Sequence, residues 1–277
     1  MTIELTAFQG NAGEHNLLAI PGAKVITQKL GEWFQSTVTS IGTPSSELCT
    51  GWSTDLDRAL PSLKAFQYHL ERVYSSGKRS IAATGRCAVS LATLPLIARH
   101  FPDACVVWFD AHADLNTPDS TLSGYLGGLA LSGPLGLWDT GLGAGLRVEN
   151  VVLVGQRDID PFEAEFIRER RIPLVNAGAD IADTLARAIA GRPVYVHIDC
   201  DVLSPGIVPT DYVHDGGLSL HELRNACVAM AQNEVVGVEI AEFQHAWTTD
   251  GDPVSPTPLL EALLPIMERC RLAVAPG

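Results

Sequence analysis

A chain of 277 residues, 46% hydrophobic and 18% charged, has the make-up of a soluble globule long enough for one large α/β domain or two small ones. Its formal charge of −13 argues against a nucleic-acid or anionic-membrane partner. No apolar run reaches the length of a membrane span and the start, MTIELTAF, has no basic stretch, so a cytoplasmic protein is expected. The six cysteines, at 49, 87, 105, 200, 227 and 270, include no CxxC pair, which argues against a disulfide framework.

In chain order, residues 5–10 predict a strand, 11–14 a loop and 24–27 a short strand. Over residues 55–74, Leu60, Leu63, Phe66, Leu70 and Val73 recur at helical spacing. Residues 80–84 then predict a buried strand, a turn at Gly85, and a helix over 88–99 with Pro95 inside it. Arg86 and Cys87 would stand at that helix's amino terminus. Residues 105–109 predict the central strand, followed by a turn-rich segment and a glycine-rich surface loop over 132–145. Strands at 151–155, 172–175, 194–198 and 235–240 alternate with helices at 161–170, 180–190, 219–232 and 257–272. The helix at 161 opens on proline; the one after Ser219 carries Glu222 three residues on, a capping box. Residues 203–217 predict a loop. This alternation predicts a single-domain three-layer α/β/α fold over residues 1–277, with a mostly parallel central sheet and ligands at the carboxyl ends of its strands.

Two strands end in acids. The stretch VVWFDAHAD runs four apolar residues into Asp110, His112 and Asp114, which share one face if the backbone stays extended. VYVHIDCD ends in Asp199 and Asp201, with Cys200 between them turned into packing. Carboxylates crowded at adjacent strand ends repel and desolvate one another unless cations sit among them. One divalent ion would hardly offset four carboxylates, and two would. The alternative is ordinary capping and loop solvation. His197 is read as core, off the acidic face, and His214, His221 and His245 have no assigned place.

With these residues in view, DAHADLNTP resembles the DAHxDxNTP signature of the arginase and agmatinase (ureohydrolase) family. HIDCDVLSPGIVP resembles its SxDxDxxDPxxxP, VLVGQRDIDPFE its IGLRDVDPGE, and VGVEIAEF its last strand ending in glutamate. The motifs run in the family's order from about residue 80 onward, and the first sixty residues match poorly. The resemblance implies an arginase-like fold and two manganese ions per chain. Asp110 and Asp199 would bridge them, His112 and Asp201 would complete one shell, and Asp114 and a residue at the start of the 88–99 helix the other. Asp114 and Glu242 would be the catalytic carboxylates. Asn116 and Ser123 match positions that contact an amino acid's carboxylate, Asp160 one that reads its amino group, and Glu242 the one that orients the guanidinium. Each also has a plain structural reading: turns for Asn116 and Ser123, helix capping for Asp160, a solvated strand end for Glu242.

Three departures stand out. TGRCA replaces GGDHS, which puts Cys87 where a metal-binding histidine is expected; the alternative is a small buried residue. SGYLGG replaces SGNLHG, which puts Gly127 where the family carries a histidine regarded as a proton shuttle. Ser204 replaces the last aspartate of the second signature. The first two departures make the chain resemble the branch of the family that acts on Nω-hydroxy-L-arginine in D-cycloserine biosynthesis, which implies hydrolysis to hydroxyurea and L-ornithine. Arginase, formiminoglutamase or another guanidino-acid hydrolase with altered ligands, and an inactive scaffold, are the alternatives. The expected partner is a small amino-acid substrate, and a monomer is favoured over a trimer because the chain stops soon after the last helix.

Overall fold

The apolar runs read from the sequence become adjacent strands. A computed structural model describes residues 3–272. Its strands are β1 (Ile3–Phe8), β2 (Val38–Ile41), β3 (Arg79–Ala83), β4 (Cys105–Phe109), β5 (Val151–Val154), β6 (Leu174–Val175), β7 (Val194–Asp199) and β8 (Val235–Ala241). They form one sheet in the order β2-β1-β3-β8-β7-β4-β5-β6, and every pairing is parallel. The helices are α1 (Ala19–Phe34), α2 (Trp52–Ser75), α3 (Ser90–His100), α4 (Pro161–Arg170), α5 (Ile181–Ile189), α6 (Leu220–Met230) and α7 (Thr257–Arg271). None of the described helices is long and apolar enough to cross a membrane.

Strand alternation divides the core into two layers. Val107, Phe109, Val196, Ile198 and Val238 face α1, α5, α6 and α7. Val106, Trp108, Tyr195 and Val236 face α2, α3 and the segment around Leu126–Leu131. The result is a three-layer α/β/α fold. Buried on both faces, β4, β7 and β8 read as near-continuous apolar runs.

Three expectations change. Residues 24–27 are not a strand but the middle of α1. Val25 and Ile26 are β-branched, yet Ala23, Ile26, Leu30 and Phe34 repeat at helical spacing and bury one stripe, which outweighs local propensity. β2 was not expected: four residues on a half-exposed edge leave no apolar run to read. The segment 132–145 is only partly a surface loop. Ser132 is buried, donates to Asn116 O at 2.5 Å and accepts from Trp138 Nε1 at 2.9 Å, while Leu142 is in the core.

The parallel sheet gathers the chain's chemistry at one edge. Cys87 follows β3, Asp110 follows β4, Asp158 and Asp160 follow β5, Asp199 ends β7 and Glu242 follows β8.

Candidate metal centre

The acids do not converge by continued extension. After Phe109 the chain leaves β4 and bends, and Asp114 has φ +52°. Glu242, directly after β8, has φ +63°. Left-handed backbone is costly for residues with a Cβ and persists where surrounding structure enforces it, as at binding sites. On the second strand, Asp199 ends β7 and a short 3-10 turn (Cys200–Val202) carries Asp201. The Asp199 carboxylate accepts the Asp201 N–H at 2.7 Å and so closes that turn.

Strand pairing then joins the two acidic ends. Phe109 lies opposite Ile198. Asp201 Oδ1 accepts Ala111 N at 2.9 Å, and Asp110 Oδ1 accepts His112 N at 2.7 Å. His112 Nδ1 lies 3.1 Å from both Asp110 and Asp201. Its Nε2 faces His214 Nε2 at 3.1 Å, which fixes the ring from the solvent side. Arg157, in the QRDID stretch, ties the turn down by donating to Asp201 O at 2.6 Å, and its own N–H bonds Ala111 O at 2.8 Å.

A cavity of about 180 Å³ opens above these residues. Cys87, His112, Asp114, Asn116, Ser123, Asp160, Asp199 and Glu242 line it, while Asp110 and Asp201 lie beneath His112. All ten candidate residues therefore meet at one place. At the far end Asn116 Nδ2 donates to Asp160 Oδ2 at 2.8 Å. Glu163 reaches back to Asp160 N at 3.0 Å, so Asp160 opens α4 and also faces Asn116. Ser123 sits exposed at the rim and accepts Tyr125 N at 3.2 Å.

The electrostatics are those of crowded anions. Burial, then neighbouring carboxylates, pushes the Asp110, Asp114 and Asp199 carboxyls above their ordinary range. Burial alone would also raise Asp201, but the hydrogen bond from His112 holds it low. Burial would lower His112, but Asp110 and Asp201 together keep its proton on.

Several site residues escaped the sequence reading. His197 is fully buried, as read, but it is not off the acidic face: it shares parity with Asp199, and its Nε2 lies 3.2 Å from Cys87 Sγ. Its ring stacks on Trp108 at 3.6 Å and its Nδ1 meets Glu239 at 3.2 Å. The Cys87 thiol also donates to Asp199 Oδ2 at 3.0 Å. Arg86 is fully buried and ion-paired to Glu242 at 2.8 Å and Asp211 at 2.7 Å. Glu242 Oε1 accepts Cys87 N at 3.1 Å, so both its oxygens are engaged. Tyr125, Tyr212 and Asp158 also line the cavity. Asp211, Tyr212 and His214 lie on the 203–217 loop, whose composition gave no hint of them. Close approach of α1 helps hold Glu242, because a Cβ at Gly22 would fall 1.9 Å from Phe243 O.

Behind the site lies Glu14, whose Oε2 accepts Ala12 N at 2.7 Å and whose Oε1 has no partner among the described residues. Burial, only partly countered by Arg86, raises its carboxyl from 4.5 to about 7. The folded state thus binds this proton more tightly than the unfolded chain. The contribution to stability is full below pH 4.5 and is lost as pH rises through about 7. Glu14→Gln is expected to melt close to wild type at pH 5 and several degrees above it at pH 8, by calorimetry.

Comparison with known proteins agrees with the geometry. The arginase family model matches residues 27–253. N(omega)-hydroxy-L-arginine amidinohydrolase of Streptomyces lavendulae is 39% identical over 241 residues, covering 87% of this chain and 88% of that protein. An arginase of Glaciozyma antarctica is 30% identical over 197 residues, 62% of this chain and 57% of that one. The solved arginase of Bacillus caldovelox superposes with a TM-score of 0.79 at 21% identity, covering 97% of both chains, which shows the shared fold. The chain belongs to the arginase family, the ureohydrolases, and is a hydrolase of amidine carbon–nitrogen bonds.

Proposed function

We propose that this chain hydrolyses the guanidino group of Nω-hydroxy-L-arginine, giving hydroxyurea and L-ornithine, with two manganese ions at the carboxylate cluster. The donor set suits such ions. Asp110, His112 and Asp201 offer ligand atoms within 4.8 Å of one another, and so do Cys87, Asp199 and Glu242. Carboxylate and imidazole donors match manganese, and the Cys87 thiolate is a softer donor than the histidine it replaces. One ion would be held by Asp110, His112 and Asp201, with Asp199 shared between the two. Cys87 and Asp114 would hold the second together with Asp110 and Asp199. When bound, the ions supply a hydroxide nucleophile at neutral pH.

The chain's own residues do the rest. Asn116, Asp160 and Ser123 take the amino-acid end of the substrate, which favours an α-amino acid over agmatine. Glu242 orients the guanidino end. Cys87 N and Arg86 keep that carboxylate in place before substrate arrives, so its position costs nothing at the moment of reaction.

Arg86 carries the choice of substrate. It stands where the GGDHS motif of arginases has an acid, and its guanidinium already neutralises Glu242 at 2.8 Å. A second full cation, the guanidinium of arginine, would gain less from Glu242 there than from a carboxylate with no cation beside it. N-hydroxylation withdraws electron density and lowers basicity, so hydroxyarginine can bind without carrying that charge. The relative from Streptomyces lavendulae supports the same substrate.

A substrate panel on manganese-loaded protein tests this. kcat/KM for Nω-hydroxy-L-arginine is expected to exceed that for L-arginine by about 100-fold, the usual reach of one well-placed recognition group. Agmatine should be poorer still. Equal turnover of arginine and hydroxyarginine would overturn the assignment.

A further inference from the structure

Tyr125 and Gly127 explain one another. A Cβ on residue 127 would lie 2.3 Å from Tyr125 Cε1 and 2.8 Å from Cζ, closer than real contacts allow. The ring has little room to yield. Its centroid is 4.4 Å from that of His15 and 5.7 Å from that of Tyr212. Residue 127 is glycine because the side chain two positions earlier fills its space. The same ring puts a hydroxyl into the cavity, with Oη 3.5 Å from Glu242 Oε1.

We propose that Tyr125 is a specificity-determining residue, whose hydroxyl hydrogen-bonds the N-hydroxy oxygen of the substrate beside Glu242 and whose ring requires glycine at 127. The hydroxyl's role rests on the hydroxyarginine reading above; the steric interlock does not. A phenol has one donor and two acceptor lone pairs. At 3.5 Å its bond to Glu242 is long, so the donor can turn to a better acceptor. An N-hydroxy group provides that acceptor, whereas an unsubstituted guanidinium presents only donors. A site arranged around a substrate hydroxyl discriminates against the analogue lacking it, because its own polar group is then left unmet.

Four proteins test both halves: wild type, Tyr125→Phe, Gly127→His, and Gly127→His with Tyr125→Asn. Gly127→His alone should melt roughly 5 °C lower, the scale of overpacking in a chain of this size. Adding Tyr125→Asn should recover most of that loss. Tyr125→Phe keeps the ring and should melt as wild type does. Its kcat/KM for hydroxyarginine should fall about tenfold or more, with a much smaller change for arginine. A Gly127→His protein as stable as wild type overturns the interlock. An unchanged Tyr125→Phe, or one losing both substrates equally, overturns the hydroxyl's role. If wild type shows no preference for hydroxyarginine, the functional reading fails and takes the hydroxyl's role with it, while the melting comparison still reads the interlock.

Discussion

Asp199→Asn should lower kcat/KM for hydroxyarginine by roughly a thousandfold or more, the scale of losing metal-supplied charge stabilisation and nucleophile. The same variant, stripped of metal by chelator, should melt higher than wild type stripped in the same way. Asp199 is buried among Asp110, Asp201 and Glu242, and burial with those neighbours drives its carboxyl well up. Asparagine keeps an oxygen for the Asp201 N–H and removes the charge. Added manganese should reverse the order, because only wild type gains the full stabilisation of a bound ligand. Thermal melts with and without manganese, run beside turnover, check all three statements. A stripped Asp199→Asn protein less stable than stripped wild type would mean that the carboxylates do not strain the fold. Functional groups held against their own repulsion are where activity and stability conflict.

Arg86→Met should be the most destabilising single change at the site. Arg86 has no exposed surface and pairs with two carboxylates, Glu242 and Asp211. Removing one member of a buried ion pair leaves the rest uncompensated and costs about 3–5 kcal/mol. For a chain of this length that is roughly a 10 °C fall in melting temperature. Activity should fall as well, since Glu242 loses one of its two anchors and keeps only the Cys87 N–H and the distant phenol. Adding Asp211→Asn should recover part of the stability and little of the activity. If Arg86→Met melts like wild type, the ion pair is not what holds Glu242.

The sequence made some of this plain and hid the rest, for physical reasons. β4 and β7 were legible because a doubly buried parallel strand is a near-continuous apolar run, and because each of these runs straight into paired acids. α4 and α6 were legible from Pro161 and from the Ser219–Glu222 box, which are local chemistry. β2 and the middle of α1 were not: a short edge strand buries too little to leave a pattern, and β-branched residues at 25–27 imitate a strand until the spacing of Ile26, Leu30 and Phe34 is followed further. Extension past the strand end is not how these residues meet, since a bend and the left-handed Asp114 bring the side chains together. His197 could have been found by counting in twos from Asp199. Asp211 and His214 could not, because only tertiary packing brings that loop to the cavity.

The proposed hydrolysis rests on one claim: the carboxylates at the ends of β4 and β7 bind manganese, and that binding powers the reaction. Titration of metal-free protein with manganese, followed by calorimetry on wild type and Asp110→Asn, tests it most directly. The account predicts saturation at two ions per chain in wild type and loss of binding when the shared carboxylate is gone. No binding by wild type, or the same binding by Asp110→Asn, would contradict it.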